Sequence, residues 1–238
     1  MKVILVCRMG SSRLPGKTLL PFGKTTLLSH IISRIELGGI CRNDICIATS
    51  NSSLDIPITS AAVELGCNFY RGSSDNVTRR ILVAADTDTD FILVLGDNPW
   101  IDPQQLSELV KCSRSYDLDY AVTATKELPK SSWPQYFYPI GTRLQYIRTN
   151  FMSQRFDVLD SADVREHTSK LFSSPPQEAS STILTPNDGW TADAIKMLNV
   201  SINTESDYLL ALSVLDEIGP NAPTAMVTHA YMSRLDNY

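Results

Sequence analysis

Short apolar runs alternate with segments whose apolar residues recur every three or four positions in the first half of the chain. The short runs predict β-strands at residues 2–7, 44–49, 67–70, 91–95 and 119–124. The periodic segments predict α-helices at residues 25–37, 56–65, 75–85 and 103–115. Because strands and helices alternate at this spacing, we expect an α/β fold with a mostly parallel, doubly wound sheet.

The second half of the chain is less regular. Three prolines interrupt residues 128–141, which favours a loop or lid over a central strand. The remaining pattern predicts helices at residues 146–155, 162–172 and 204–218, a strand at 197–202 and an exposed loop at 173–186. We therefore expect residues 1–238 to form a single domain, with a first half to about residue 125 and a second half from about 126 to 238.

Composition narrows the classes of protein that this chain can represent. Of its 238 residues, 43% are hydrophobic, and the formal net charge of −5 argues against a broad surface for nucleic acid. No apolar stretch approaches the roughly 18 residues of a membrane span, and the first apolar run is too short for a signal peptide. The five cysteines include no CxxC pair and favour reduced thiols. We therefore expect a cytoplasmic protein that binds neither nucleic acid nor a membrane.

The loop at residues 8–17 follows the first predicted strand and concentrates positive charge in an acidic chain. It contains three cations, two hydroxyl groups and two glycines: Arg8, Arg13, Lys17, Ser11, Ser12, Gly10 and Gly16. Ligands of open α/β sheets bind at the carboxyl ends of strands, and glycine turns can point N–H groups at an anion. The cations would neutralise a polyphosphate. An ordinary solvated basic loop is the alternative interpretation.

This loop does not have the spacing of a P-loop. The Walker pattern requires four residues between its first glycine and Gly-Lys-Thr/Ser, whereas five separate Gly10 from Gly16-Lys17-Thr18. Pro15 also lacks the N–H that a phosphate cradle would use at this position. A P-loop kinase or ATPase is therefore disfavoured, and the chain contains no GxGxxG dinucleotide motif.

Asp97 follows the predicted strand at residues 91–95 after a single glycine, Gly96. A carboxylate at the end of a buried strand is a natural Mg²⁺ ligand, since magnesium binds to a few carboxylates together with phosphate oxygens. The alternative is an aspartate that caps a turn or helix, a role that Asp102 can take before Pro103. A polyphosphate loop on the adjacent strand favours the metal interpretation for Asp97.

Residues 8–17 closely resemble the opening signature of cytidylyltransferases of the spore-coat polysaccharide type, which are related to CMP-Kdo and CMP-sialic acid synthetases. Further stretches resemble later blocks of that family, in the expected order: 48–50, 70–80, 96–103, 138–141, 165–167 and 202–207. The resemblance implies a glycosyltransferase-A-like nucleotidyltransferase fold, CTP as donor, Mg²⁺ as cofactor and a sugar or sugar acid as acceptor. It also makes a homodimer a candidate assembly.

The resemblance assigns roles to particular residues. It implies catalytic roles for Arg8 and Lys17, on the triphosphate, and for Asp97, on the metal. The nucleotide-binding set that it implies is Arg8, Met9, Gly10, Ser11, Ser12, Arg13, Lys17, Thr49, Arg71, Arg80 and Asp97. The first half of the chain would bind the nucleotide, and the second half would complete the acceptor site and offer dimerisation elements. The expected reaction is in-line attack of an acceptor hydroxyl on the α-phosphorus of CTP, with release of pyrophosphate.

Two positions depart from the family pattern. Asn203 stands where the family has an aspartate that helps to hold the metal, and an amide oxygen coordinates without supplying charge. Arg143 stands at a position that is commonly acidic, which favours an anionic acceptor, although a solvated strand face also explains it. Arg165 and His167 belong to a family-like block and are expected beside the acceptor. For His167, a histidine that caps or hydrogen-bonds within a helix is the alternative.

Asn203 also motivates a rival function. A homologue with a weakened metal site would bind nucleotide or sugar without turnover, and such a binder would release no pyrophosphate from CTP.

Overall fold

The computed structural model describes residues 1–86, 88–128, 134–172, 179–186 and 198–235, together with residues 191, 193 and 195. The strands are β1 (Lys2–Val6), β2 (Pro21–Phe22), β3 (Thr25–Thr26), β4 (Ile45–Ser50), β5 (Asn68–Gly72), β6 (Asp90–Leu95), β7 (Tyr120–Thr123), β8 (Gln145–Arg148) and β9 (Ser181–Leu184). The helices are α1 (Leu27–Leu37), α2 (Ile56–Glu64), α3 (Val77–Ala85), α4 (Pro103–Ser115), α5 (Thr149–Leu159), α6 (Ala162–Glu166), α7 (Glu205–Ile218) and α8 (Thr224–Leu235).

Seven strands form one sheet in the order β5-β4-β1-β6-β8-β7-β9, and β2 and β3 form a separate hairpin. β1 is parallel to both β4 and β6, β4 is parallel to β5, and β7 is parallel to β9. Within the seven-stranded sheet, only β8 runs antiparallel to its neighbours, β6 and β7. The prediction of a mostly parallel α/β sheet is therefore confirmed.

Helices cover both faces of the sheet, and the alternation of side chains along β1 shows why. Val3 and Leu5 belong to the apolar cluster that also contains residues of α1, α4, α7 and α8. Ile4 points to the other face and joins a cluster with residues of α3 and α5. Successive strand residues point to opposite faces, so a strand that is apolar at every position must be covered on both sides.

Several predictions for the second half were wrong. Residues 146–155 do not form one helix, because β8 ends at Arg148 before α5 begins. The helix expected at 162–172 is divided at His167, which has φ −116° and ψ 85°, into α6 and a 3₁₀ segment. The loop expected at 173–186 contains β9, and its residues 173–178 lie outside the described residues.

The strand expected at 197–202 is also absent from the described part of that segment, residues 198–202. There Asn199 makes a single isolated bridge, with Ile140. The described residues of the 128–141 segment form no helix or strand beyond isolated bridges, which agrees with the predicted loop. Residues 129–133 of this segment lie outside the described residues. α8 had no counterpart in the sequence prediction.

Within the described residues, no helix combines the length and the hydropathy needed to cross a bilayer. All five cysteines are free, and Cys7, Cys46 and Cys67 are buried.

Candidate functional site

A cavity of about 400 Å³ opens where β1 and β6 end. The two strands are parallel neighbours, with Val6 opposite Leu95, so the residues that follow them meet at one edge of the sheet. Nine residues predicted for the site line this cavity: Arg8, Ser11, Ser12, Arg13, Lys17, Arg80, Asp97, His167 and Asn203. Chain segments far apart in sequence therefore contribute to a single cavity.

The loop after β1 is folded back on itself by its own backbone. The carbonyl of Met9 accepts hydrogen bonds from the N–H groups of Ser11 and Gly16, both at 2.9 Å. Gly16 has φ +73°, a left-handed conformation that a side chain would strain. Thr18 Oγ1 donates to the carbonyl of Arg8 at 3.2 Å. These bonds hold the basic side chains of the loop around the cavity.

Asp97 is brought close to this loop by a tight packing of β6 against β1. The N–H of Gly96 donates to the carbonyl of Val6 at 2.8 Å, and a Cβ at position 96 would lie 2.6 Å from the Cβ of Cys7. Glycine is thus required immediately before the carboxylate. Lys17 Nζ lies 3.1 Å from Asp97 Oδ2 and also donates to the carbonyl of Ile202 at 2.7 Å.

The segment before α7 lies beside Asp97. The N–H of Ile202 donates to the Asp97 carbonyl at 2.8 Å, and the Oδ1 of the next residue, Asn203, accepts from Arg13 at 3.1 Å. A capping box fixes this approach: Asp207 Oδ2 accepts from the N–H groups of Asn203 and Thr204, at 2.9 and 2.8 Å. The start of α7 therefore sets the position of Asn203.

The oxygen donors at this point fit a magnesium ion. The Asp97 carboxylate and the Asn203 amide are hard ligands, and both now bond to cations, Lys17 and Arg13. No group of three or more His, Cys, Asp or Glu side chains that could hold a metal occurs among the described residues. Magnesium commonly has few protein ligands and takes the rest from phosphate and water. The residues present therefore suit a metal that binds together with a polyphosphate.

Arg80 is the most deeply buried cation of the cavity, with 2% of its surface exposed. Its Nη1 donates to the carbonyl of Ser73 at 2.9 Å, whereas its buried Nε has no hydrogen-bond partner among the described residues. Burial lowers the pKa of Arg80, and the nearby Arg8 lowers it further, while Cys7 and Asp55 act in the opposite direction. Within the described part of the chain, the guanidinium of Arg80 is therefore incompletely hydrogen-bonded despite its burial.

Positive charge exceeds negative charge in the cavity wall. Four cations (Arg8, Arg13, Lys17 and Arg80) face two carboxylates, Asp97 and Glu166. Cys7 also lines the cavity, but burial raises the pKa of its thiol to about 12, so it is a neutral part of the wall rather than a nucleophile. This charge balance suits an anion such as a polyphosphate.

Glu166 was missed by the sequence analysis, although it stands between two residues that the family-like block singled out. It lines the cavity together with His167. The backbone N–H of His167 donates to the carbonyl of Asp163 at 2.8 Å at the end of α6, so this histidine both ends a helix and reaches the cavity.

Met9, Gly10, Thr49 and Arg71 do not line the 400 Å³ cavity. Gly10 lines an adjoining pocket of about 190 Å³, to which Arg8 also contributes. The N–H of Met9 and the hydroxyl of Thr49 both donate to the carboxylate of Asp55, at 2.7 and 2.9 Å. Arg71 donates to three backbone carbonyls, those of Ser50, Asn51 and Ser52.

Two residues expected at the acceptor are paired elsewhere. Arg165 forms a two-pronged ion pair with Asp160, with both N–O distances at 2.6 Å. Arg143 Nη1 lies 3.5 Å from Glu127 Oε2. The structure does not bring Arg165 or Arg143 into the 400 Å³ cavity.

A match to a protein family model identifies the family of this chain. The family model of the cytidylyltransferases matches residues 2–135. The chain belongs to the cytidylyltransferase family. This membership confirms the family resemblance seen in the sequence. It gives no support to the alternative of a P-loop kinase or ATPase.

Individual relatives match about half of the chain. The spore coat polysaccharide biosynthesis protein SpsF of Bacillus subtilis is 32% identical over 122 residues, 49% of this chain and 51% of that protein. An 8-amino-3,8-dideoxy-manno-octulosonate cytidylyltransferase of Shewanella amazonensis is 29% identical over 119 residues, 48% of this chain and 47% of that protein. The chain thus spans about half the length of the curated relatives that it matches.

A solved structure extends the likeness to the whole fold. The cytidylyltransferase of Leptospira borgpetersenii superposes with a TM-score of 0.84 at 19% identity, over 99% of this chain and 94% of that chain. The fold is that of the glycosyltransferase-A-like nucleotidyltransferases, as expected.

Proposed function

We propose that this protein transfers a cytidylyl group from CTP to a hydroxyl group of a sugar or sugar acid, with release of pyrophosphate. The observation that carries the proposal is the cavity that Arg8, Lys17 and Arg80 line together with the carboxylate of Asp97. Family membership supports CTP as the nucleotide, and the name of the Shewanella relative supports a sugar acid as the acceptor. A cytoplasmic location belongs to the same proposal, since free thiols persist in reducing compartments.

The nucleotide would extend from the 400 Å³ cavity into the adjoining pocket. Arg8 lines both spaces, so a triphosphate held by Arg8, Lys17 and Arg80 would leave the nucleoside near Gly10. Asp97 would hold a Mg²⁺ ion, with the Asn203 amide oxygen as a second donor, and the ion would neutralise phosphate charge. The homodimer stays a prediction.

In the proposed reaction an oxygen of the acceptor forms a new bond to the α-phosphorus, and the bond to the bridging oxygen of pyrophosphate breaks. The cations stabilise the charge on the departing pyrophosphate because they are already in place when it develops. The hydroxyl proton has two candidate acceptors on the cavity wall outside the metal site, Glu166 and His167. The protein thus acts mainly by orienting the reactants and neutralising charge.

A screen of nucleotides against sugars and sugar acids, with pyrophosphate as the readout, tests this proposal. We expect release from CTP with Mg²⁺ and at least one sugar acid, and no comparable release from ATP or GTP. Binding of CTP by calorimetry, without pyrophosphate release for any acceptor, would instead establish a binding protein.

The substitution Asn203→Asp tests whether position 203 helps to bind the metal. It also tests the alternative function, a homologue with a weakened metal site that binds nucleotide without turnover. The amide of Asn203 bonds to Arg13 and to Ser201 Oγ, so an aspartate can keep the bond to Arg13 and add a charge for the metal. We expect unchanged or several-fold higher turnover and a lower Mg²⁺ requirement. A clear loss of turnover would remove position 203 from the metal site.

A further inference from the structure

Asp55 is a buried carboxylate, 1% exposed, at the position that precedes α2. An aspartate in this position usually accepts hydrogen bonds from the first turn of its own helix. The side chain of Asp55 makes no such bond. Its burial must therefore be compensated by other partners.

Those partners belong to two different loops. Asp55 Oδ1 accepts from the N–H of Met9 at 2.7 Å. Asp55 Oδ2 accepts from Thr49 Oγ1 at 2.9 Å, from the N–H of Ser50 at 2.9 Å and from Ser50 Oγ at 2.5 Å. One oxygen therefore contacts the loop after β1, and the other contacts the end of β4.

The carboxylate is charged in this environment. Burial alone would raise the pKa of Asp55, but the hydrogen bonds from Ser50, Met9 and Thr49 outweigh it and hold the pKa below its usual value. Hydrogen bonds to a charged acceptor are stronger than those between neutral groups. The contact with Met9 is therefore a strong tether.

The tethered peptide controls the rest of the loop. The carbonyl of Met9 accepts from the N–H groups of Ser11 and Gly16, so the two turns of the loop meet at this residue. Arg8 and Arg13 leave the same short segment toward the cavity. A displacement of Met9 would change the direction of both side chains.

The loop at the end of β4 provides a firm base for the tether. Arg71 donates to the carbonyls of Ser50, Asn51 and Ser52, at 3.3, 3.0 and 2.8 Å. β4 itself is buried along its whole length. The loop after β1 is thus fastened to a part of the fold that is already held in place.

We propose that Asp55 is a positioning residue that holds the loop of residues 8–17 in the conformation that binds the nucleotide, through the N–H of Met9. This inference rests on the proposed function, and neither the family resemblance nor the comparisons assigned a role to this residue.

The variant Asp55→Asn separates the two halves of the contact. An asparagine has one acceptor oxygen, and it satisfies more donors when that oxygen faces Thr49 and Ser50. Its NH₂ group then faces the N–H of Met9, so this tether alone is lost. We expect the KM for CTP to rise by about tenfold or more, as for the loss of one charge-assisted hydrogen bond.

Asp102→Asn is a matched control. Asp102 is also buried, at 6% exposed, and also accepts four hydrogen bonds. Its donors are at the start of α4 and at Thr224, away from the loop of residues 8–17. We expect a comparable loss of thermal stability with an unchanged KM for CTP.

An unchanged KM in Asp55→Asn, or an equal rise in Asp102→Asn, would overturn the proposal while the cytidylyltransferase function stands. Absence of pyrophosphate release from the unmodified protein would refute the function instead.

The exchange rate of the Met9 amide hydrogen tests the hydrogen bond to Asp55 in the unmodified protein. This measurement needs neither an activity assay nor a variant that folds. We expect this amide to exchange far more slowly than an unprotected loop amide, because its partner is buried. Exchange at the unprotected rate would contradict the tether.

Discussion

Two arginines of this protein are almost completely buried, yet their surroundings differ. Arg34, with no exposed surface, lies on one face of the sheet, and Arg80, 2% exposed, lies at the cavity. Each nitrogen of Arg34 donates to a backbone carbonyl: Nε to Ile101 at 2.7 Å, Nη1 to Pro220 at 2.7 Å and Nη2 to Ala222 at 3.0 Å. Arg80 makes one such bond, to Ser73, and leaves its Nε without a partner among the described residues.

The difference separates a structural region from a binding region. Burial lowers the pKa of both arginines, to about 10 for Arg34, so both guanidinium groups lose hydration. Around Arg34 the loss is offset by bonds that join α1 to the segments before α4 and α8. Around Arg80 the compensation is incomplete. A buried donor without a partner is costly, so Arg80 contributes less to stability than Arg34.

The largest effect that we expect comes from Arg34→Met. Three carbonyls, two of them in buried hydrogen bonds, would lose their donor. Each orphaned buried acceptor costs about 1–3 kcal/mol, and the free energy of unfolding should fall by about 5 kcal/mol. Urea denaturation measures this change. The CTP affinity of the folded fraction should be unchanged. A loss below about 1 kcal/mol would show that the carbonyls find other partners.

Asp97→Ala should have the opposite profile, with a large effect on turnover and a small one on stability. The Asp97 side chain is 28% exposed, and without it Lys17 keeps its bond to the Ile202 carbonyl, so the substitution leaves no fully buried charge without a partner. We expect kcat to fall by about 10²- to 10³-fold, the range for loss of one element of charge stabilisation. Near-normal pyrophosphate release would exclude Asp97 from the reaction.

The structural region should also respond to pH, through His30. Burial, and then the charge of Arg34, lower the pKa of His30 to about 4 from 6.5, against the effect of its hydrogen bond to the Pro99 carbonyl. The unfolded chain therefore binds the proton more readily, and stability falls as the pH drops from about 6.5 to about 4. The loss attributable to His30 is about 3 kcal/mol.

His30→Gln provides the control for this pH effect, because other carboxyl groups titrate in the same range. The difference between the two proteins in the free energy of unfolding should shrink as the pH falls. A difference that is constant between pH 7 and pH 4 would contradict a neutral, buried His30.

Arg80→Met should give the smallest change in free energy. A methionine removes an incompletely paired buried charge and fills similar space, so stability should change by less than about 1 kcal/mol or increase. The affinity for CTP, measured by calorimetry, should fall by about tenfold because one cation is lost from the cavity. If stability falls as in Arg34→Met while affinity persists, the contrast between the two arginines is wrong.

The sequence predicted the first half of the fold well because its signals are local. α4 begins at Pro103 and ends at Ser115, as predicted, since proline marks its first turn and Asp102 caps it. α1 ends directly before Gly38, again as predicted. In this half the helices and strands follow the spacing of apolar residues along the chain.

The errors in the second half have a common physical cause. β8 was predicted as part of a helix because a short apolar run does not distinguish a covered strand from a buried helix. In the structure Tyr146 and Ile147 are buried in a strand that lies between β6 and β7. β9 is a strand because it pairs with β7, although Ser181 and Thr182 carry no apolar alternation. Partners distant in sequence decide both elements.

In the candidate site, too, some features were predictable from local sequence and others depend on contacts between side chains. The loop of residues 8–17 and Asp97 were predicted to meet because both follow parallel strands, and the structure brings them together. Arg165 was expected at the acceptor, but the side chain of Asp160, five residues earlier, binds its guanidinium. The role of Asp55 depends on a contact with Met9, 46 residues away, which no sequence pattern indicated.

A crystal structure with CTP and Mg²⁺, in the absence of an acceptor, tests the central claim most directly. We predict that the triphosphate lies within hydrogen-bonding distance of Arg8, Lys17 and Arg80, with the metal ion bound to Asp97. Ordered CTP at another place on the protein, or an empty cavity at saturating nucleotide, would contradict this account.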